Sequence, residues 1–241
     1  MQIHFVSIFP SIFDSFMETS LIKKAVDKKV LKFHTINPRD FAKWKHKQVD
    51  DTIYGWGPGL LMKVEPAVKA VESIIKRITT NAKRSKKGLH RNSFNIIYLT
   101  PSKDFFTQKV AHTLAKYDHL VFVCTRYEGI DHRFIQYMKK EYKTKFKQLS
   151  IGQFITLGGE LPAMTMVEAI TRLVPGVIKE EDSRKDESYN VKKEMNNIEY
   201  PQYTKPDEAY GLKVPEVLLN WHHKKIQARR DENTESLDEN K

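Results

Sequence analysis

Three stretches of the sequence combine glycines with aromatic and acidic residues that could form a ligand site. They comprise residues 98–101, 124–131 and 150–163, and each follows or faces a run of residues typical of a β-strand. In parallel α/β sheets, ligands bind outside the carboxyl ends of the strands. Glycines permit close approach of the backbone to a ligand, aromatic rings offer flat surfaces, and Glu128 adds a carboxylate. Each stretch alone is typical of an ordinary turn, but together they predict a binding site at one edge of a sheet.

Familiar nucleotide and metal signatures are absent from the sequence. No glycine pair completes GxGxxG, and no Walker A, HExxH or GxSxG motif occurs. An NAD enzyme or an NTPase is therefore not supported, because both hold phosphates on glycine-rich loops. His222 and His223 are adjacent, so on a helix they would point about 100° apart and could not bind one metal ion. We expect no metal site.

The elements that must position these stretches follow from the apolar pattern. Strands are predicted at residues 2–8, 31–36, 94–99 and 120–124, and helices at residues 66–78, 103–116, 131–139 and 161–173. This alternation predicts an α/β fold with a parallel sheet. Other segments are typical of loops (43–63, 83–91 and 178–199), of a helix (209–230) and of disorder (231–241).

The charge and composition of the chain indicate which kinds of partner and which cellular compartment to expect. The 241 residues include 41 Lys and Arg against 30 Asp and Glu, a net charge of +11, and five acids and one lysine in the last eleven residues leave +15 on the rest. Such a basic chain favours a polyanionic partner. The single cysteine, Cys124, excludes an internal disulfide and fits a reducing compartment. No apolar run approaches the roughly 18 residues of a membrane helix, so we expect a cytoplasmic protein without membrane contact.

The three stretches, in their order and spacing, resemble the bacterial tRNA (guanine-N1)-methyltransferases. The resemblance also includes shorter segments along almost the whole chain. These are IHF (3–5), SIFP (7–10), NPRDF (37–41), VDD (49–51), YG (54–55), GPG (57–59), RYEGID (126–131), GGELPAM (158–164), PQYTKP (201–206) and VPEVLL (214–219). So many matching segments are not expected by coincidence.

The resemblance implies a particular fold and activity. Members of this family belong to the knotted SPOUT superfamily, with a parallel α/β sheet, a deep C-terminal trefoil knot and a homodimer whose active sites lie at the subunit interface. Here the family pattern implies a knotted S-adenosylmethionine-binding domain (1–177), a flexible linker with the catalytic carboxylate (178–199), a small helical tRNA-binding domain (200–230) and a disordered acidic tail (231–241). The implied reaction moves the methyl group of S-adenosylmethionine to N1 of the guanosine 3′ of the anticodon of tRNA.

The resemblance also implies the residues that bind S-adenosylmethionine. Backbone amides and carbonyls of the knot loops would bind the adenine, which explains the abundance of glycines and small residues. The implied residues are Tyr98, Leu99, Thr100, Pro101, Thr125, Tyr127, Glu128, Gly129, Ile151, Gly152, Gln153, Phe154, Ile155, Thr156, Leu157 and Gly158.

The chemistry of the substrate defines the catalytic groups that are needed. Guanine N1 carries a proton, and as the proton leaves, negative charge spreads to O6. Methyl transfer therefore needs a base at N1 and a cation or donor at O6. Family correspondence assigns charge stabilisation to Arg172, at the end of the helix after Gly159, and a hydrogen bond to the guanine to Glu128.

The catalytic base is where this chain departs from the family pattern. The usual Asp-Ser-Phe triplet of the linker aligns with Glu187-Ser188-Tyr189, which makes Glu187 the expected base. The neighbouring Asp186 and the pair Asp182-Ser183 remain alternatives. Two further departures are Thr125, which replaces a glycine, and Trp56, which would either stack on a flipped base or cover the core.

Two other functions compete with this reading. A ribose 2′-O-methyltransferase of the same superfamily would need no base at guanine N1, and the extended linker argues against it. A non-catalytic RNA-binding protein would use its basic segments, residues 43–47 and 83–91, to bind phosphates. Arg172 together with a carboxylate in the linker favours the guanine methyltransferase.

Overall fold

A computed structural model describes residues 1–43, 45–85, 90, 93–178, 187–190 and 196–237. The chain forms two compact units, Met1–Ile178 and Lys179–Lys241. Among the described residues, no helix is both long enough and apolar enough to cross a membrane.

The first unit alternates strands with helices. Its strands are β1 (Gln2–Val6), β2 (Lys32–Ile36), β3 (Asp50–Thr52), β4 (Leu60–Met62), β5 (Phe94–Leu99), β6 (His119–Val123) and β7 (Phe146–Leu149). Its α-helices are α1 (Asp14–Met17), α2 (Ser20–Asp27), α3 (Val64–Arg84), α4 (Gln108–Leu114), α5 (His132–Tyr142) and α6 (Glu160–Thr171). Single 3-10 turns lie at Pro10–Phe13, Pro38–Phe41, Lys45–Lys47 and Lys143–Lys145.

Five of these strands form one parallel sheet in the order β2-β1-β6-β5-β7. The predicted α/β fold with a parallel sheet is therefore confirmed. Helices cover both faces, so β5 is buried along its whole length, and its sequence FNIIYL has the apolar character of a strand buried on both sides. One face packs on α3 and α5 through residues such as Ile74 and Phe134, and the other packs on α4 and α6 through residues such as Leu114 and Met166.

The segment that was expected to be a loop, residues 43–63, contains an antiparallel hairpin of β3 and β4. The hairpin continues into the loop after β6. The Glu128 N–H donates to the Leu60 carbonyl, the Met62 N–H to the Gly129 carbonyl, and the Asp131 N–H to the Met62 carbonyl, each at 3.0 Å. These bonds fix the hairpin against the second of the glycine-bearing stretches.

The second unit combines helices with short strand pairs. Its elements are β8 (Asn197–Ile198), β9 (Glu208–Ala209), β10 (Leu212–Lys213), α7 (Glu216–Leu219), α8 (His223–Glu232) and β11 (Glu235–Ser236). Strand β9 pairs with β10, and β8 pairs with β11, both antiparallel. The prediction of disorder is therefore wrong for residues 231–237, because α8 continues through Glu232 and β11 finds a partner in β8. Residues 238–241 lie outside the described residues.

Candidate active site

A cavity of about 250 Å³ lies at the carboxyl ends of β5, β6 and β7. Because these neighbouring strands are parallel, the loops that follow them meet at the same edge of the sheet. All of the residues predicted to bind the cofactor line this cavity except Gly152 and Gln153. The lining also includes Leu149, Ser150, Gly159 and Pro162, which had not been singled out, although the last three lie inside the third predicted stretch.

Close packing around the cavity explains the glycine pair that precedes α6. The Gly159 N–H donates to the Thr125 carbonyl at 3.0 Å, and a Cβ on Gly159 would lie 2.9 Å from the Cα of Cys124. A Cβ on Gly158 would collide with the side chains of Arg126 and Glu160. Only glycine therefore allows the start of α6 to approach the end of β6 so closely.

Glu160, the first residue of α6, is a buried carboxylate that the sequence reasoning missed. It is 0% exposed, and its Oε1 accepts a hydrogen bond of 2.6 Å from the Ser7 hydroxyl. Its Oε2 lies 2.9 Å from the Arg126 Nε, whose N–H is not directed at it, so the contact is an ion pair rather than a hydrogen bond. Arg126 also stacks on the Phe9 ring at 5.0 Å. A charged residue directly after Gly-Gly was the signal, because the N-terminus of a helix favours an anion.

We call Glu160, Ser7 and Arg126 the Glu160 cluster. It joins residues after β1, residues after β6 and the start of α6, and so connects two walls of the cavity. Burial, followed by the charge of Glu160, raises the pKa of the neighbouring Cys124 thiol well above its usual value. Cys124 is therefore an inert, buried thiol, in keeping with its apolar sequence context.

Glu128 lies in the cavity wall beside the turn of the β3–β4 hairpin. Gly59 in this turn has φ +85°, and a Cβ there would lie 2.8 Å from the Glu128 Cγ, so a side chain at this position would displace Glu128. Tyr127 has φ +58°, a strained conformation for a bulky residue and one that occurs preferentially at functional sites. Trp56 of the same turn is 100% exposed, so it does not cover the core.

Thr125, which replaces the glycine of the family pattern, is buried next to Tyr98. Burial raises the pKa of the Tyr98 hydroxyl, and hydrogen bonds with Thr100 and Thr125 oppose that increase. The threonine thus adds a side-chain contact inside the cavity wall.

Arg172 directly follows α6, as predicted, but it is exposed and does not line the cavity. Helix α6 begins at the cavity and has 12 residues. At 1.5 Å per residue, a helix of this size is about 18 Å long. Arg172 therefore stands at the end of α6 that is remote from the cavity of its own chain.

Glu187 belongs to the second unit and is partly buried. Its carbonyl accepts a hydrogen bond of 3.1 Å from the Asn197 Nδ2. Asp186, Asp182 and Ser183, which were the alternatives for the catalytic base, lie outside the described residues.

The second unit also contains a cavity of about 460 Å³. Its lining includes the basic residues Lys205, Arg229 and Arg230, and the Arg230 guanidinium stacks on the Tyr200 ring at 5.0 Å. Within the described part of the chain, no group of three or more His, Cys, Asp or Glu residues is arranged to hold a metal ion.

The sequence profile of the family described as "tRNA (Guanine-1)-methyltransferase TrmD" matches residues 1–240. The chain belongs to this family. A tRNA (guanine-N(1)-)-methyltransferase of Mycoplasmopsis synoviae (strain 53) is 43% identical over 226 residues, which cover 94% of this chain and 88% of that protein. The similarly named protein of Clostridioides difficile (strain 630) is 39% identical over 232 residues, with 96% and 91% coverage. The protein of Staphylococcus carnosus (strain TM300) is 38% identical, with 96% and 85% coverage.

Membership of the tRNA (guanine-1)-methyltransferase family confirms the predicted family and the prediction of an enzyme that methylates tRNA. It favours this function over the ribose methyltransferase and the non-catalytic RNA-binding protein. A methyltransferase needs a methyl donor, and the cavity at the edge of the parallel sheet is the place where the residues predicted for that donor come together.

Proposed function

We propose that this protein transfers the methyl group of S-adenosylmethionine to N1 of the guanosine 3′ of the anticodon of tRNA. The observation that carries the proposal is the convergence of the family motifs, separated in sequence, on one cavity at the carboxyl edge of the sheet. Its relatives are named tRNA (guanine-N(1)-)-methyltransferases, which agrees with a tRNA substrate and with N1 of guanine as the methylated atom. We place the enzyme in the cytoplasm.

The residues of the cavity fit S-adenosylmethionine. Bound there, it would supply a methyl group activated by a sulfonium cation, and it carries no phosphate, so no phosphate-binding loop is required. Glycines at positions 129, 158 and 159 leave the backbone accessible, and Tyr98, Tyr127 and Phe154 offer aromatic surfaces. Gly152 supports this wall indirectly, because a Cβ on it would lie 2.5 Å from the Phe154 ring.

Three side chains carry the chemistry in this proposal. Glu187 accepts the proton of guanine N1, Arg172 stabilises the negative charge that develops on O6, and Glu128 accepts hydrogen bonds from the amino and imino groups of the guanine. Glu128 already lines the cavity. Glutamate is one methylene longer than the aspartate of the family pattern, so Glu187 reaches the same proton from a backbone placed slightly further back.

The active enzyme is a homodimer in this proposal, with the trefoil knot of the family in each first unit. Two observations support the dimer. Arg172 stands about 18 Å from the cavity end of its own α6, so we assign it to the site of the partner subunit. Apolar side chains around the cavity are strongly exposed in the single chain, with Ile155 at 80% and Leu157 at 90%, and a second copy would cover them.

The remaining parts of the chain bind the substrate in this proposal. Residues 178–199 form the linker that contributes Glu187, and residues 200–230 bind tRNA. The basic cavity with Lys205, Arg229 and Arg230 supports that role, because Lys and Arg side chains contact phosphates.

Nucleoside analysis tests the proposed reaction. The full chain is incubated with methyl-labelled S-adenosylmethionine and an unmodified tRNA transcript, and the labelled nucleoside is identified after digestion. We expect 1-methylguanosine, and no label in a matched transcript with adenosine 3′ of the anticodon. A labelled 2′-O-methylnucleoside would instead support a ribose methyltransferase, and no label with folded protein would support an RNA-binding protein without catalysis.

A further inference from the structure

Asn197 is the only buried residue among the described residues of the second unit, with 4% of its surface exposed. It makes three hydrogen bonds to residues 187–190. Its Nδ2 donates to the Glu187 carbonyl at 3.1 Å, its Oδ1 accepts from the Asn190 N–H at 3.0 Å, and its backbone carbonyl accepts from the Tyr189 N–H at 2.8 Å. The side chain and the backbone carbonyl of Asn197 therefore form hydrogen bonds with three of the four residues 187–190.

We propose that Asn197 is a positioning residue for methyl transfer, because it fixes the backbone of residues 187–190 and so determines where the Glu187 carboxylate stands. This inference rests on the proposed function of Glu187 as the base. We call Asn197 with residues 187–190 the Asn197 cluster.

The chemistry of an amide suits this role. An asparagine side chain both donates and accepts, so Asn197 satisfies a carbonyl and an N–H of the same turn at once. A leucine could not make these bonds, and an aspartate could not donate to the Glu187 carbonyl. Tyr189 has φ +57°, a left-handed conformation that a bulky residue adopts only where its surroundings hold it.

Neighbouring bonds hold Asn197 itself in place. Asn197 belongs to β8, where it pairs with Ser236 of β11. Beyond β8, the Glu199 N–H donates to the Ser188 hydroxyl at 3.0 Å, which adds a second connection to the segment that contains Glu187. The base is thus attached to a strand pair rather than to a free loop.

The Asn197→Asp variant tests the proposal most sharply. It keeps the shape and the acceptor for Asn190, but it replaces the donor to the Glu187 carbonyl with an oxygen that repels it. Because a misplacement of about 1 Å can cost roughly 10²-fold in rate, we expect the single-turnover rate to fall by about ten-fold or more. The affinities for S-adenosylmethionine and tRNA should stay within about two-fold, because neither depends on the position of the base.

A matched control is Thr234→Val. Thr234 lies in the same unit, outside the segment proposed to bind tRNA, and its hydroxyl donates to a backbone carbonyl, that of Arg230 at 2.8 Å, rather than to residues 187–190. The control removes the same kind of bond from a side chain to a backbone carbonyl. We expect its single-turnover rate at saturating tRNA to stay within about two-fold of the wild type.

The double variant Glu187→Gln with Asn197→Asp distinguishes positioning from general stability. If Asn197 acts through Glu187, the double variant is no slower than Glu187→Gln alone, because the placement of an absent base no longer matters. An additive loss, or an Asn197→Asp rate near that of the wild type, would overturn the inference while leaving the proposed base intact. A near-normal rate for Glu187→Gln itself would instead overturn the assignment of the base. Should Asn197→Asp fail to fold in a thermal melt, the uncharged Asn197→Ser variant replaces it, with the same expected results.

Discussion

The Glu160 cluster and the Asn197 cluster hold their surroundings by different means. Glu160 lies at the start of α6, a helix that packs on the sheet through Ala163, Met166 and Ile170. The hydrogen bond of Ser7 to Glu160 joins residues 153 positions apart. Asn197, in contrast, is the one buried residue in the described part of its unit, and its side-chain hydrogen bonds reach ten residues at most. Burial fixes the cavity, whereas a few hydrogen bonds position the proposed base.

The two clusters hold different parts of the proposed active site. The described hydrophobic clusters all lie in the first unit, so the cavity proposed for the methyl donor is formed by a packed core. Among the described residues of the second unit, no such cluster underlies the segment with Glu187, and local stability is low where few apolar contacts are buried. The proposed donor site is therefore preformed, while the position of the proposed base is easier to change by mutation or by substrate binding.

Mixing two inactive variants asks whether the cavity and the base of one active site come from different copies of the chain. Glu128→Gln impairs the cavity and Glu187→Gln removes the base, so each homodimer should lose about 10²-fold or more of its activity. After subunit exchange, one site of each mixed dimer would have both native groups, and activity should return to about one quarter of the wild type.

Subunit exchange must be demonstrated independently, for instance with differently tagged copies. Complete absence of rescue after proven exchange would show that Glu128 and Glu187 of one site belong to the same chain, which leaves Arg172 as the group through which the subunits share a site.

Breaking the Glu160 cluster should destabilise the first unit. Glu160→Gln keeps the hydrogen bond with Ser7 but leaves the Arg126 charge without its partner. Breaking a buried ion pair costs about 3–5 kcal/mol, and the partial exposure of Arg126 places this variant near the lower end, about 3 kcal/mol. Urea unfolding measures the loss, and cofactor binding should weaken with it.

Glu168→Gln, on the exposed side of the same helix, is the matched control and should change the free energy of unfolding by less than about 0.5 kcal/mol. Equal stability of Glu160→Gln and the wild type would mean that the cluster does not hold the cavity walls together.

Acid should also lower the stability of the first unit, because three histidines stack on each other on the sheet. His4 is 1% exposed, and its ring centroid lies 4.8 Å from that of His34 and 5.4 Å from that of His119. Burial, followed by the nearby His34, His119 and Arg77, lowers the pKa of His4 to about 2. Burial first and then Arg77 and Lys32 lower the pKa of His34 to about 4.

Because the pKa of His4 is lowered in the folded state, the protein becomes less stable as the pH falls. Above pH 6.5, the ordinary pKa of a histidine, His4 is neutral in both states and its contribution to stability is complete. As the pH falls below 6.5, the unfolded chain binds a proton that the folded chain does not, so stability declines by up to about 1.4 kcal/mol per pH unit. Urea unfolding at about pH 7.5 and pH 5.5 should show this decline for the wild type and a smaller one for His4→Gln. Identical pH dependence in the two proteins would exclude His4 as the cause.

Part of this architecture could be predicted from the sequence, and the reason differs from element to element. Strands β5 and β6 are mostly apolar because they are buried on both faces, so their sequences identify them. Strand β7, FKQL, lies at the edge of the sheet with two half-buried polar residues, and it was missed. The order of residues 235–237 depends on pairing with β8, which the acidic composition of that segment does not reveal.

The candidate site could also be predicted from the sequence only in part. The loops of the cavity were predictable because their glycines and aromatics are close in sequence and match a family pattern. The Glu160 and Asn197 clusters were not, because each depends on a contact between segments whose approach only the fold determines. For Ser7 and Glu160, nothing in the sequence brings together residues from opposite ends of the first unit.

We propose that the first unit binds the methyl donor and that the second unit supplies the base. The most direct test measures both cofactor affinity and single-turnover methyl transfer on one preparation of Glu187→Gln. We expect unchanged binding of S-adenosylmethionine and a loss of transfer of roughly 10²–10⁴-fold, as is usual when a general base is removed. The neighbouring Asp186→Asn variant serves as the comparison and should transfer methyl at a near-normal rate. If Glu187→Gln transfers methyl as fast as the wild type, the assignment of the base to Glu187 is contradicted, and if Asp186→Asn is equally fast, neither residue is the base.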